Sequence, residues 1–273
     1  MVEPLILTVH NPLPRAERFA RFTDVRALFN IADHFIVHAE QNRDSLLQRA
    51  TIDPARISVV PLGPSLQNQE ESSQDQARDK LKLPSQKQVI LFHGLIKPYK
   101  GLLDLIEAVT LLHPQHPHVH LLIAGRCDGD EKPYLEAITA HKLEEVTTTH
   151  FQFIPSADVP MYFAASDVVC FPYRDASQSA ALLTAYRFGK PVVVTDVGGL
   201  PETVEDGKNG FIVPSQNPAA LAEALGKLLD DAALREQFGA RSYELSQTRF
   251  GWGRAAELTL AIYERVLNER KTR

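Results

Sequence analysis

The segment FHGLIKPYKG (92–101) sets two glycines and two lysines between an apolar run and a helical one. Such a junction suits an anion. Glycine lets the backbone approach a ligand, and the first N–H groups of a helix favour negative charge. Gly94 and Gly101 are the turning points, and Lys97 and Lys100 carry charge to where a phosphate would sit. The other reading is a solvated basic loop, since neither a GxGxxG nor a Walker pattern is present. DVGGLPE (196–202) repeats the theme after PVVVT. Gly198 and Gly199 bring backbone to a ligand and Glu202 accepts hydroxyl protons, or the stretch is a plain turn with a surface glutamate. SQS (177–179) precedes AALLTAYRFGKP, which places Ser177, Gln178 and Ser179 at a helix N-terminus. There they hold phosphate or sugar oxygens, or simply cap the helix. Between Asp175 and Pro201 the only acid is Asp196. His10, after the apolar run LILTV, is either functional or structural. His113, His116, His118 and His120 form a Pro-broken run entering a strand, so neighbours diverge and a solvated loop fits better than a metal site.

The elements that must position these residues alternate. Strands are expected at 5–9, 34–39, 57–63, 88–94, 119–125, 150–155, 167–173 and 191–196, with an edge strand at 210–214. Helical spacing marks 15–32, 42–50, 101–112, 131–142, 158–165 and 178–188, and further helices follow from 217 to 270. β-branched runs separated by helices predict a doubly wound parallel α/β sheet with ligands at the carboxyl ends of the strands. The polar stretch 64–80 is expected to be a surface linker between domains.

Bulk properties narrow the partners. A net charge of -5 gives no basic field for nucleic acid. Cys127 and Cys170 are expected as reduced core thiols. No apolar run reaches transmembrane length, and the first residues lack a signal-peptide pattern. A cytoplasmic location is therefore expected, with a peripheral membrane contact still compatible.

In order, the motifs TVHNPLPR, ADHFIVHAE, ISVVPLG, FHGLIKPYKG, LLIAG, DVVCFPY and FGKPVVVTDVGGLPETVEDGKNGFIVP resemble the GT4 family of retaining glycosyltransferases with the GT-B fold. The resemblance covers nearly the whole chain and is strongest from Val89 onward. It implies two Rossmann-like domains facing across a cleft and a nucleotide diphosphate sugar as donor, with no metal or other cofactor. It further implies that Lys100 holds the diphosphate and that the loop around Ile154 meets the base. Ser177, Gln178 and Ser179 would face sugar and phosphates. His10 would bond a hydroxyl of the reacting sugar, which makes His10 and Lys100 the expected catalytic pair. Residues 249–267 resemble the terminal helix that crosses back to the amino-terminal domain. The implied domains are 1–63, a remnant of the acceptor side; 64–87, linker and first helix; 88–249, the donor domain; and 250–273, the crossover helix.

The chain departs from the family pattern in several places. Leu95 stands where the family has an arginine, with Lys97 as the expected substitute. Ala176 and Thr184 stand where it has paired glutamates. A charged hydrogen bond contributes roughly 1.5–3 kcal/mol, so the donor site should be weakened. Asp175 is the expected compensation for the first loss, and Thr184 the expected source of one weaker bond. About three amino-terminal βα units of the family precede the matching region. A sheet lacking them would expose an edge, so a homo-oligomer or partner chain is expected to cover it. The first reading is transfer of a hexose to an unidentified acceptor. The alternative is a non-catalytic nucleotide-sugar-binding module that complements another chain.

Overall fold

Short β-branched runs at the amino-terminal end pair side by side. The computed structural model describes residues 3–10, 29–64 and 72–271. Its backbone divides into one unit of Met1–Gly63 with Thr248–Arg273 and another of Pro64–Gln247. In the first unit β1 (Ile6–Thr8), β2 (His34–Val37) and β3 (Ile57–Val59) form a parallel sheet in that order. Successive side chains of a strand point to opposite faces. Accordingly Phe35 and Val37 pack with Phe29, Ile52, Ile57 and Leu46, the last from helix α1 (Glu40–Arg49), while Ile36 faces the other way toward Val60. Of the helix expected over 15–32, residues 11–28 lie outside the described residues.

The second unit opens with α2 (Gln74–Leu81) inside the stretch read as linker; residues 65–71 of that stretch lie outside the described residues. Ser73 caps α2 in a reciprocal capping box with Gln76. Ala77 and Leu81 are its buried apolar residues, and the buried Arg78 donates to Asp167 Oδ2 at 2.6 Å and to the Ala165 carbonyl at 3.0 Å. The composition of 64–80 reads as polar linker, whereas Gln74–Leu81 is helical, within the 64–87 span expected to hold the linker and first helix.

The alternation then runs β4 (Gln88–His93), α3 (Leu102–Leu112), β5 (Val119–Ala124), α4 (Lys132–Ala140), β6 (Thr147–His150), α5 (Val159–Ala165) and β7 (Val168–Phe171). It continues with α6 (Ala180–Arg187), β8 (Val192–Thr195), α7 (Leu200–Thr203), β9 (Gly210–Val213), α8 (Pro218–Asp230) and α9 (Ala232–Gln247). All six strands are parallel, in the order β6-β5-β4-β7-β8-β9. β5, β7 and β8 are buried at every position, as strands covered on both faces must be. α3 packs on α8, α2 on α5 and α6 on α9. One strand is displaced from expectation: β6 is the threonine run 147–150, not 150–155. As a half-buried edge strand it needs no apolar run, and Phe151–Pro155 becomes the loop beyond it.

The last helix, α10 (Trp252–Lys271), belongs to the first unit. Ile262 and Val266 meet Ile36 and Val60. Arg270 donates to both carboxylate oxygens of Asp33 at 2.9 Å.

Candidate functional site

The order of the second sheet reverses between β4 and β7, which are neighbours although the chain leaves them in opposite directions. That is where parallel α/β sheets open a crevice at their carboxyl ends. Gly94 ends β4 with φ +116, and a Cβ there would lie 3.2 Å from Lys100 Nζ. A side chain at Gly94 would thus meet both backbone strain and the ammonium. Lys100 ends the 3-10 turn Pro98–Lys100, and its Nζ stands 5.2 Å from the centroid of Tyr173, just past β7. The cation therefore spans the ends of the two strands at the reversal. Its backbone N–H donates to the Lys97 carbonyl at 2.9 Å, while its ammonium makes no hydrogen bond or ion pair among the described residues.

The walls around it are fastened together. Arg174 donates Nε to Asp104 Oδ2 and Nη2 to Asp104 Oδ1. Its backbone N–H bonds the Tyr99 carbonyl at 2.6 Å. Lys97 does not face the crevice unengaged: its Nζ pairs with Asp128 Oδ2 at 2.8 Å, and that bond holds the Asp128 carboxyl below the usual carboxylate range. As a phosphate ligand it would first have to leave Asp128. His93 packs on Phe163 at 5.1 Å between ring centroids. Burial, and then the Lys100 charge, hold its pKa down to about 4, so the imidazole is neutral.

On the β7 side, Ser179 caps α6, its hydroxyl accepting from Leu182 N at 3.3 Å. The N-terminus of α6 thus opens onto the same end of the sheet. The loop after β8 lies against this one. Gly199 N donates to the Ser177 carbonyl at 3.1 Å. Gly198 has φ +59, and a Cβ there would overlap the Ala176 carbonyl. Gln178 is half-buried, Asp175 exposed, and Glu202 half-buried on α7. Thr184, expected to keep one bond for a ligand, is 3% exposed, and its hydroxyl donates to the Ala180 carbonyl at 2.9 Å. The helix interior takes up that group. Asp196, the lone acid of the segment, accepts from Ser215 N at 3.0 Å.

Beside Lys100 lies a pocket of about 290 Å³ lined by His93, Gly94, Leu95, Gly125, Arg126, Phe153 and Ile154. Its floor is continuous backbone. Beyond the strand-end glycines the pairing of β4 and β5 resumes, Ile96 N donating to the Arg126 carbonyl and Asp128 N to the Ile96 carbonyl, each at 2.9 Å. The sequence reading brought Gly94 and Ile154 here and missed Arg126 and Phe153. A signal existed for the first: Arg126 follows the strand-end Gly125 as Leu95 follows Gly94.

In the first unit His10 Nδ1 is 3.0 Å from His38 Nε2, while His38 Nδ1 is 2.8 Å from the Val60 carbonyl. Burial, then His10, lower the His38 pKa. The histidine run disperses: His116 Nε2 reaches Asp230 at 3.1 Å and His120 Nε2 reaches Thr148 Oγ1 at 2.8 Å. Among the described residues no three His, Cys, Asp or Glu gather as a metal site would require. Both cysteines are free, and burial pushes the Cys170 thiol up. No described helix is long and apolar enough to cross a membrane.

Of the comparisons with known proteins, the family-model match falls within the second unit. The family described as "Glycosyl transferases group 1" matches residues 73–245. A D-inositol 3-phosphate glycosyltransferase of Corynebacterium glutamicum is 30% identical over 287 residues, covering 97% of this chain and 68% of the relative. Among solved structures, sucrose-phosphate synthase from Thermosynechococcus elongatus superposes with a TM-score of 0.82 at 24% identity, covering 97% of this chain and 68% of that one. Anabaena HepE in complex with UDP superposes with a TM-score of 0.78 at 22% identity, covering 99% and 72%. These two likenesses show the fold. The chain spans from 56% to 72% of the length of eight curated relatives that it matches.

Proposed function

Since the chain belongs to the group 1 glycosyl transferases, we propose that it moves a hexose from a nucleoside diphosphate sugar to an acceptor, with retention at the anomeric carbon and without a metal. The observation that carries this reading is the place of Lys100, a cation with no ion pair among the described residues, over the ends of β4 and β7 and next to Gly94. Negative charge grows on the leaving diphosphate as the sugar departs. A cation and helix N–H groups fixed in advance stabilise that charge more than they stabilise the ground state. Lys100 takes the diphosphate in this reading, with the N-terminus of α6 on the adjoining loop, Gly198 and Gly199 bringing backbone to the sugar, and Glu202 accepting from its hydroxyls.

A protein nucleophile is not needed when the acceptor attacks on the face the diphosphate leaves. Three local carboxylates agree with that division of labour: Asp104, Asp128 and Asp196 are engaged by Arg174, Lys97 and the Ser215 amide respectively. The neutral His93 beside Lys100 adds no competing charge.

The test is calorimetric titration with UDP-, GDP- and ADP-sugars, paired with a donor hydrolysis assay. Binding with turnover that Lys100→Ala abolishes supports transfer. Binding without turnover, for any acceptor tried, supports a nucleotide-sugar-binding module instead. Absence of binding to every donor overturns both.

A further inference from the structure

The carboxyl ends of the first sheet carry a row of three groups, one beyond each strand. His10 follows β1, His38 follows β2 and Val60 follows β3. The backbone beneath the row is fixed, since Val9 N donates to the Ile36 carbonyl and Val60 N to the Val37 carbonyl, each at 2.8 Å. The side-chain bonds run across the strands, from β3 through β2 to β1.

The protons in this row follow from its fixed end. A carbonyl only accepts, so His38 Nδ1, 2.8 Å from the Val60 oxygen, carries a proton. His38 is 8% exposed, and its pKa is lowered from 6.5, chiefly by burial, so the ring is neutral above pH 6.5. A neutral imidazole with its proton on Nδ1 has a lone pair on Nε2. That lone pair lies 3.0 Å from His10 Nδ1, which therefore donates. His10 then keeps its own lone pair on Nε2. That atom makes no hydrogen bond among the described residues, and His10 is exposed. A histidine in water exchanges between its two tautomers, whereas here the partner of one ring nitrogen decides what the other offers. Ligands of a parallel sheet gather at its carboxyl end, and the row presents an acceptor there.

We propose that His38 is a positioning residue for His10: it holds His10 in the Nδ1–H tautomer, so that His10 Nε2 meets a ligand only as a hydrogen-bond acceptor. The ligand group that suits it is a hydroxyl, which donates; an ionised phosphate oxygen or a ring ether oxygen does not. Assigning that hydroxyl to the sugar of the donor rests on the donor reading above and on His10 meeting the reacting sugar.

Nitrogen NMR of the histidine rings, on the labelled full chain at about pH 8 where an ordinary histidine is neutral, tells a protonated ring nitrogen from one with a lone pair. His10→Ala identifies the His10 signals. The wild-type chain is expected to show His10 protonated on Nδ1. His38→Leu, which removes the acceptor, is expected to release His10 into a mixture of tautomers. His38→Gln, which keeps an acceptor, is expected to hold the wild-type form. A wild-type His10 protonated on Nε2, or an unchanged His10 ring in folded His38→Leu, would overturn the assignment and leave the donor reading intact. The wild-type spectrum decides the tautomer even if the leucine variant fails to fold. Calorimetry with UDP-, GDP- and ADP-glucose beside UDP, GDP and ADP tests the use of Nε2. For the base that binds, His38→Leu is expected to weaken the nucleotide sugar about three- to tenfold and to leave the diphosphate within about twofold. Equal effects on sugar nucleotide and diphosphate would overturn the assignment of the hydroxyl to the sugar. The same equality in His10→Ala would place that failure in the reading of His10 rather than in His38. Absence of binding to every nucleotide would overturn the donor reading, while the ring spectra would still decide the tautomer.

Discussion

Arg174 holds both oxygens of the Asp104 carboxylate, at 2.8 and 2.6 Å, and so fastens the loop after β7 to the first turn of α3. Its own N–H on Tyr99 completes the fastening next to Lys100. The distance between the ammonium and the N-terminus of α6 is therefore set by the protein before any ligand arrives.

Arg174→Ala is expected to lower unfolding free energy and donor affinity together. Leaving a buried carboxylate unpaired typically costs 3–5 kcal/mol. The Arg174 side chain is 38% exposed, so solvent screening brings the expected loss to about 1–2 kcal/mol. Urea midpoints check the stability, and nucleotide titration checks the coupling. Arg174→Lys, lacking the fork, is expected to recover only part of either.

The two lysines of FHGLIKPYKG are expected to differ. Lys100→Ala should weaken a nucleoside diphosphate by roughly 10- to 100-fold. Lys97→Ala should cost much less, because the wild-type lysine already spends its charge on Asp128. Titrations side by side decide it; equal losses would mean that Lys97 leaves Asp128 for the ligand.

Gly198→Ala should damage the site without touching its charges. A left-handed backbone costs a non-glycine residue roughly 1–2 kcal/mol, and the added methyl would also run into the Ala176 carbonyl. The loops after β7 and β8 must then separate. Reduced donor affinity with a lowered thermal midpoint is the expected outcome, whereas Gly207→Ala, also at positive φ but with open space beside it, should lower only the midpoint.

Acid should unfold the second unit partly through His120. Burial, and then Lys87, hold its pKa down to about 4 from 6.5. The folded imidazole stays neutral while the unfolded one takes a proton, so its contribution is full above pH 6.5 and is lost as pH falls from 6.5 to about 4. The loss approaches roughly 3 kcal/mol. His93, whose pKa is likewise held down to about 4, contributes in the same direction. Urea midpoints between pH 7 and 4 are expected to fall less steeply in His120→Gln than in the wild-type chain; an equal slope would assign the loss to other groups.

Much of this arrangement is legible in the sequence because its strands are buried on both faces. VILF, VHLLIA and VVCF announce themselves, and the glycines after the first two, Gly94 and Gly125, mark the ligand end of the sheet. What the sequence hides has physical reasons. An edge strand of three threonines carries no apolar run. A mostly polar helix, its buried Arg78 paired with Asp167, looks like a linker. Thr184 looks available until its hydroxyl is found on the Ala180 carbonyl. Lys97 and Lys100 are alike as letters, and only the placement of Asp128 separates them. Phe153 reads as strand core until β6 is found to end before it. Arg126 was within reach, since it stands after a strand-end glycine as Leu95 does.

The strand order also dictates a sequence of events during synthesis. β4, β5 and β6 leave the ribosome consecutively and β5 pairs with both of the others, so the wall bearing Arg126 and Phe153 can assemble early. The perch of Lys100 on Tyr173 must wait for β7, and the glycine turn at Gly198 for β8. A nascent chain halted before β7 would present half a binding site and no anchored cation. Nucleotide would then act as a ligand of the finished sheet alone, stabilising the mature unit by mass action while giving nothing to its precursors.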